Sequence, residues 1–223
     1  APDNPRAGAR FTESGAQAGL AHAGKGRSFA FGDPDGDGDL DVYLVDEGAN
    51  ALLLNDGKGL FAPASGAEVR LLADDGGGRA AAFLDADGDG DLDLYLVNAG
   101  GANRLFVQSP SGWRDETDRW GLADDGDGRG LAMADYDDDG DTDLYVANLG
   151  GGALFANTGA RFRQVTAAAG VPPVAGNVGA LFADADGDGS TDLFLASQSG
   201  DNQLLRGTPA GFAPAAGLDL GRR

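Results

Sequence analysis

Aspartates at a fixed spacing carry most of the chemistry available to this chain. Nine-residue runs DPDGDGDLD from Asp33, DADGDGDLD from Asp85, DYDDDGDTD from Asp135 and DADGDGSTD from Asp184 begin 52, 50 and 49 residues apart. Acids stand at positions one, three, five and nine of every run, and glycine stands at position six (Gly38, Gly90, Gly140, Gly189). Hard divalent cations take several carboxylate and carbonyl oxygens around a tight turn, and glycine lets that turn form. The predicted ligands are Asp33, Asp35, Asp37, Asp39 and Asp41 in the first loop and Asp85, Asp87, Asp89, Asp91 and Asp93 in the second. The third loop offers Asp135, Asp137, Asp139, Asp141 and Asp143, and the fourth Asp184, Asp186, Asp188, Ser190 and Asp192. Four loops in register predict about four Ca²⁺ per chain.

Charge is concentrated in the same places. The chain carries a formal −20, and the four windows hold 20 of its 36 acids and no base; outside them 16 acids balance 16 bases. Two carboxylates about 4 Å apart repel by roughly 4 kcal/mol at an effective dielectric of about 20. A loop converging several of them needs a cation, or its acids must protonate or splay apart. All-oxygen donors exclude soft metals, in keeping with no cysteine and one histidine. Mg²⁺ usually keeps several waters and avoids all-protein cages, which leaves Ca²⁺. Ser190 at position seven fits a slot that contributes its backbone carbonyl. With four aspartates and a serine, the fourth loop is expected to bind most weakly, and the extra Asp138 of the third should point outward.

The elements that must hold these loops are strands. Position twelve, where a helix–loop–helix calcium site needs glutamate, is Leu44, Leu96, Val146 and Leu195. Short apolar runs flank each loop: FAF, AAF, AMA and LF before it, and VYLV, LYLV, LYVA and LFLA after it. Such runs bounded by glycine and aspartate read as buried strands joined in a hairpin. A second apolar run follows (from Leu52, Leu105, Leu154 and Leu204), then a turn, then an aromatic at Phe61, Trp113, Phe162 and Phe212 and a more polar segment. Four strands per unit of about 50 residues describe a β-propeller blade, and such blades must stack to bury both faces. The expected fold is all-β: one propeller domain over 1–223, with repeats at roughly 21–72, 73–122, 123–171 and 172–220.

AFGDPDGDGDLDVYLV from Ala30 to Val45, its three relatives and segments such as NRLFVQSPSGW resemble the FG-GAP (VCBS-type) repeats of integrin α-subunit propellers. The variant found beside the ASPIC/UnbV domain and in cartilage acidic protein is the most similar. The resemblance covers nearly the whole chain. It implies a β-propeller with Ca²⁺ in the loop between neighbouring strands and a role in adhesion or ligand binding. Three departures stand out: only the first repeat keeps Phe31-Gly32, no Gly-Ala-Pro element is present, and four repeats are fewer than the seven blades of an integrin head.

FTESGAQAGL (11–20) and FAPAAGLDL (212–220) both match the outer segment of a blade, so four metal hairpins come with five outer segments. In a closed four-bladed ring the two would compete for one edge. Either one is displaced, or the ring is open and another chain pairs with it through the terminal edge strands. A compact four-bladed ring is favoured; a fragment of a longer propeller and an assembly that completes the ring are the alternatives.

Function classes narrow further. No apolar stretch approaches membrane-spanning length, and strong acidity disfavours nucleic acid and anionic lipid. The chain starts APDNP without methionine or signal peptide, as a processed or trimmed form would. Calcium loops fill where the ion is abundant, so an extracellular, periplasmic or cell-surface setting is expected. His22 is the only histidine and reads as an ordinary loop residue, there is no nucleophile elbow, and no enzyme is expected.

Arg27, Arg79 and Arg129 stand six residues before the first loop aspartate, with Asn177 in the corresponding place of the fourth repeat. They could bind an anion from one face or pair with nearby acids. Trp120 replaces Ala18 and Ala169 of other repeats, and either meets a sugar or partner from the surface or fills a gap between blades. Trp113 aligns with Phe61, Phe162 and Phe212 and reads as core. The function expected is a non-catalytic calcium-binding interaction or adhesion module with a protein or glycan ligand. A lectin is the alternative, although the sequence shows no pocket repeated between blades.

Overall fold

The computed structural model describes residues 12–21, 24–66, 68–74 and 76–215. His22 and the outer parts of the two terminal segments (Phe11 and 216–220) lie outside them. Among the described residues, sixteen strands form four antiparallel sheets of four, each an up-and-down meander. Blade one holds β1 (Ser28–Gly32), β2 (Asp41–Val45), β3 (Ala51–Asn55) and β4 (Phe61–Pro63). Blade two holds β5 (Gly78–Leu84), β6 (Asp93–Asn98), β7 (Arg104–Val107) and β8 (Arg114–Asp115). Blade three holds β9 (Gly128–Ala134), β10 (Asp143–Asn148), β11 (Ala153–Asn157) and β12 (Phe162–Gln164). Blade four holds β13 (Asn177–Ala183), β14 (Asp192–Ser197), β15 (Gln203–Thr208) and β16 (Gly211–Pro214). The all-β blades expected from the periodicity are present, and every aspartate loop is the hairpin between the first two strands.

Blades stack in chain order. The first strands β1, β5, β9 and β13 are successive neighbours, whereas no comparable packing joins any strand of blade four to blade one. Three buried clusters lie one at each blade-to-blade contact. Tyr43 and Phe83 belong to the first, Tyr95 and Phe155 to the second, Tyr145 and Phe212 to the third. The second strands of the inner blades, β6 and β10, are covered along their full length, as Val, Leu and Tyr runs buried on both faces require, whereas β14 of blade four is covered at only half of its residues.

A tyrosine ties each blade to the next. The Tyr43 hydroxyl donates to the Leu72 carbonyl at 2.6 Å, Tyr95 to the Leu122 carbonyl at 3.3 Å, and Tyr145 to Asn177 Oδ1 at 3.2 Å. Burial raises all three phenol pKa values. Blade four has Phe194 in this place.

The two terminal outer segments do not compete. Residues 211–214 form β16, while the described part of the first segment is a turn whose Ala18 carbonyl accepts the Phe61 N–H at 2.8 Å on blade one. Linkers between blades do the same: Ala169 accepts from Phe212 at 2.7 Å. The strand expected at 11–20 is thus absent from its described residues, because this stretch docks on a blade edge as a linker does.

Candidate metal loops and inter-blade clefts

Each loop is wound by its own amides. At position six Gly38, Gly90, Gly140 and Gly189 have φ of 93, 94, 94 and 90°, a region where a Cβ is strained. That turn aims the position-six N–H at the position-one carboxylate: Gly38 to Asp33 Oδ2 at 2.9 Å, Gly90 to Asp85 at 3.1 Å, Gly140 to Asp135 and Gly189 to Asp184 at 3.0 Å. Position five is held by the amide of position seven, as Asp89 by Asp91 at 2.9 Å and Asp188 by Ser190 at 2.8 Å.

Position nine opens the second strand and is buried: Asp41, Asp93 and Asp143 are 0% exposed and Asp192 is 2%. One oxygen accepts an amide from the third strand's end: Asn55 to Asp41 at 2.7 Å, Gln108 to Asp93, Asn157 to Asp143 and Gly207 to Asp192 at 2.8 Å. The other accepts the amide of loop position two, from Ala86 at 2.9 Å, Tyr136 at 2.9 Å and Ala185 at 3.0 Å. In the first loop that residue is Pro34, which has no N–H. Asp41 Oδ2 is accordingly buried with no partner. An uncompensated buried carboxylate oxygen is costly and fits a cation.

Donor oxygens converge within 4.8 Å in all four loops. The groups are Asp33, Asp35 and Asp37; Asp85, Asp87 and Asp93; Asp135, Asp137 and Asp143; and Asp184, Asp186 and Asp192. Each could hold a metal ion. The predicted ligands Asp89, Asp139 and Asp188 stand outside these groups, as does Asp41. Position seven is outside every group, and the Asp39 and Asp141 carboxylates turn towards Gly57 and Gly159 of the outer hairpin. Asp138, at φ 59°, is exposed and apart from its triad.

Burial pushes the Asp41 carboxyl up to about 6 and those of Asp93 and Asp143 up to about 7, with the other loop acids adding to the rise. Asp35, Asp87 and Asp137 are raised by burial and then by the neighbouring position-five charge. In the fourth loop a protein cation is already present: the Arg206 guanidinium pairs with Asp186. Leu54, Val107 and Ala156 occupy the matching place in the other blades.

The arginines divide. Arg27 pairs with Glu47 at 3.3 Å and Arg129, through a terminal nitrogen, with Asp127 at 2.7 Å, while Arg79 is half-buried; the Nε of Arg79 and that of Arg129 are both buried without a partner. Arg79 and Arg129 sit at bulges in their strands, and the equivalent bulge in blade four falls on Val178. The correspondence with Asn177 is therefore one residue out: Asn177 matches Gly78 and Gly128.

The tryptophans take opposite roles. Trp120 is 6% exposed and shares the second cluster with Ala86, Val107 and Phe162, filling the gap between blades two and three. Trp113 is only half-buried and packs against the edge of the first cluster. It lines a cleft of about 500 Å³ between blades one and two with Pro34, Asp35, Gln108, Ser109 and Ser111. An equivalent cleft of about 540 Å³ between blades three and four is lined by Tyr136, Asp137, Ala169, Thr208 and Ala210. There Tyr136 stacks on Phe212 at 5.4 Å. A pocket repeated between blades, which the sequence did not reveal, is therefore present. Its lining comes from loop position two, the linker and the outer hairpin, which are distant in the chain.

Residues 33–96, 85–146 and 135–195 each match the model of an FG-GAP-like repeat. No curated protein matches the chain. Among solved structures, an Agrocybe aegerita lectin described as recognising non-reducing terminal N-acetylglucosamine is 18% identical with a TM-score of 0.50. The match covers 82% of this chain and 50% of the lectin, so the chain spans about half the lectin's length. A Cicer arietinum lectin with two metal-binding sites is 12% identical over 87% of this chain and 92% of its own, at a TM-score of 0.36.

Proposed function

The chain belongs to the family of FG-GAP-like repeat proteins, and from that premise we propose that it is a non-catalytic recognition module whose four aspartate loops bind Ca²⁺ as structural metal. The observation that carries this reading is the convergence of three carboxylate oxygens within 4.8 Å in each loop, which in three of the four includes the buried position-nine aspartate. A strand-opening acid sunk in the blade answers a cation's needs rather than a substrate's. The ion would fix the turn between two buried strands and relieve the repulsion among its acids. A setting outside the cytoplasm, where calcium is plentiful, agrees with this. Isothermal titration of the metal-free protein with Ca²⁺ tests it: heat of binding and a raised melting temperature are expected, and neither would appear if the loops were mere acidic turns.

A second reading concerns the ligand. The two equivalent clefts favour a glycan, because Trp113 offers an apolar ring face beside Asp35, Gln108, Ser109 and Ser111, the mixture that a sugar ring stacks on and hydrogen-bonds. The similar fold of a lectin specific for terminal N-acetylglucosamine names the first probe. Chitotriose binding, measured with calcium present, should weaken about tenfold or more in Trp113→Ala; because that ring also packs against the first cluster, its melt is measured alongside and binding is compared at a temperature where both proteins are folded. Binding indifferent to Trp113 would place the ligand elsewhere, with Arg79 the next residue to change.

A further inference from the structure

Each internal contact joins the forward face of one blade to the backward face of the next, and the first strand shows which residue serves which face. Three residues before the loop aspartate, Ala30 and Ala132 are buried in the clusters ahead of them. Two residues before it, Phe83 and Phe182 pack into the clusters behind them, so closely that a Cβ on Gly32 would stand 2.6 Å from the Phe83 ring. Blade one has no blade behind it and blade four none ahead, among the described residues. At those two ends the same positions are barer than at any internal contact, where Met133 of blade three reaches 38%. Phe31 is 55% exposed and, with Phe29 at 61%, forms an edge-to-face pair at 5.5 Å; Leu181 is 60% exposed. The tyrosine that would need an acceptor in a following blade is Phe194, so blade four presents an apolar forward face with no hydroxyl to satisfy.

We infer that two copies of this chain associate head to tail, blade four of each on blade one of the other, closing a ring of eight blades. The two bare faces are complementary halves of a contact that the chain makes three times internally, so the surface that fits them is another blade of this kind. Propellers close at about 4–8 blades, and two copies of four stay within that range where three would not. A head-to-tail contact that closes after one repetition gives a finite twofold assembly rather than a filament. It uses sheet faces, not the terminal strand edges. Two chains of charge −20 repel, and four divalent ions on each would cut that to −12, so the assembly should need calcium.

Sedimentation velocity at micromolar concentration in 150 mM salt with calcium tests this. The wild-type chain should run at twice its 22.4 kDa mass. Leu181→Asp and Phe31→Asp, both at exposed positions, should each run as monomers with unchanged melting temperature. An equimolar mixture of the two should recover a dimer, because one chain keeps an intact forward face and the other an intact backward face. A monomeric wild type, an assembly larger than two chains, variants that stay dimeric, or a mixture that stays monomeric would each overturn the inference.

Discussion

In the first aspartate loop a buried oxygen of Asp41 has no donor; in the fourth, Asp186 is already neutralised by Arg206. The two loops share spacing, glycine geometry and amide-wound carboxylates; besides Ser190 in place of Asp39 and Thr191 in place of Leu40, they differ in one residue each that bears on charge. Pro34 withholds the amide that Ala185 supplies, and Arg206 supplies a cation where blade one has Leu54. Loops of the same spacing can therefore differ in how much they need a metal. The need is set by neighbours in the strand ladder rather than by the count of acids.

Removing all metal should have the largest effect. At free calcium about ten times each Kd, a site adds roughly 1.4 kcal/mol, or about 6 kcal/mol for four. In a chain of this size that corresponds to a melting temperature lowered by roughly 10–20 °C on chelation, less at high salt, where carboxylate repulsion is screened. Differential scanning calorimetry with and without chelator reads it directly.

Pro34→Ala would make the first loop like the fourth. The new amide donates to Asp41 Oδ2, a charge-assisted bond of about 1.5–3 kcal/mol, against roughly 0.4–1 kcal/mol lost with the proline's restriction of the unfolded chain. The metal-free protein should gain about 1–2 kcal/mol, and the calcium-induced rise in melting temperature should shrink. Urea melts in both states measure it, and unchanged values would remove the comparison's basis.

pH separates the loops more gently. Folded Asp93 and Asp143 titrate at about 7 and Asp41 at about 6, all raised chiefly by burial. The metal-free folded state then holds more protons than the unfolded chain between the ordinary carboxyl range and those values. Its stability should fall as pH rises from about 4 to 7, the direction linkage gives for raised acids. Calcium displaces the same protons, so affinity should climb with pH and level off above about 7. Calorimetric titrations at pH 5.5 and 7.5 check both signs.

Arg206→Gln gives the smallest effect. A half-exposed ion pair is worth about 0.2–1 kcal/mol, so freeing Asp186 should tighten the fourth site by roughly fivefold at most. The first three sites should not change.

Much of this was legible in the sequence because metal spacing and strand period are local. Asp85, Asp87 and Asp93 lie within nine residues of one another, and the runs on either side are short and apolar, as buried strands are. What depended on neighbours was not legible. Whether Trp113 or Trp120 is covered turns on the blade each meets: one sits half-buried at the edge of the first cluster, while Phe162 and Ala86 enclose the other. Val178, not Asn177, stands six residues before Asp184, and the bulge it shares with Arg79 and Arg129 fixes that alignment. The missing donor at Pro34 gains meaning only once Ala86, Tyr136 and Ala185 are seen giving theirs.

Calcium stoichiometry by native mass spectrometry, on the wild type and on Asp33→Ala and Asp184→Ala, tests the central claim most directly. Four ions should bind the wild type and three each variant, with the ion lost in Asp184→Ala being the one that fills last. Two or fewer ions on the wild-type chain would contradict the account.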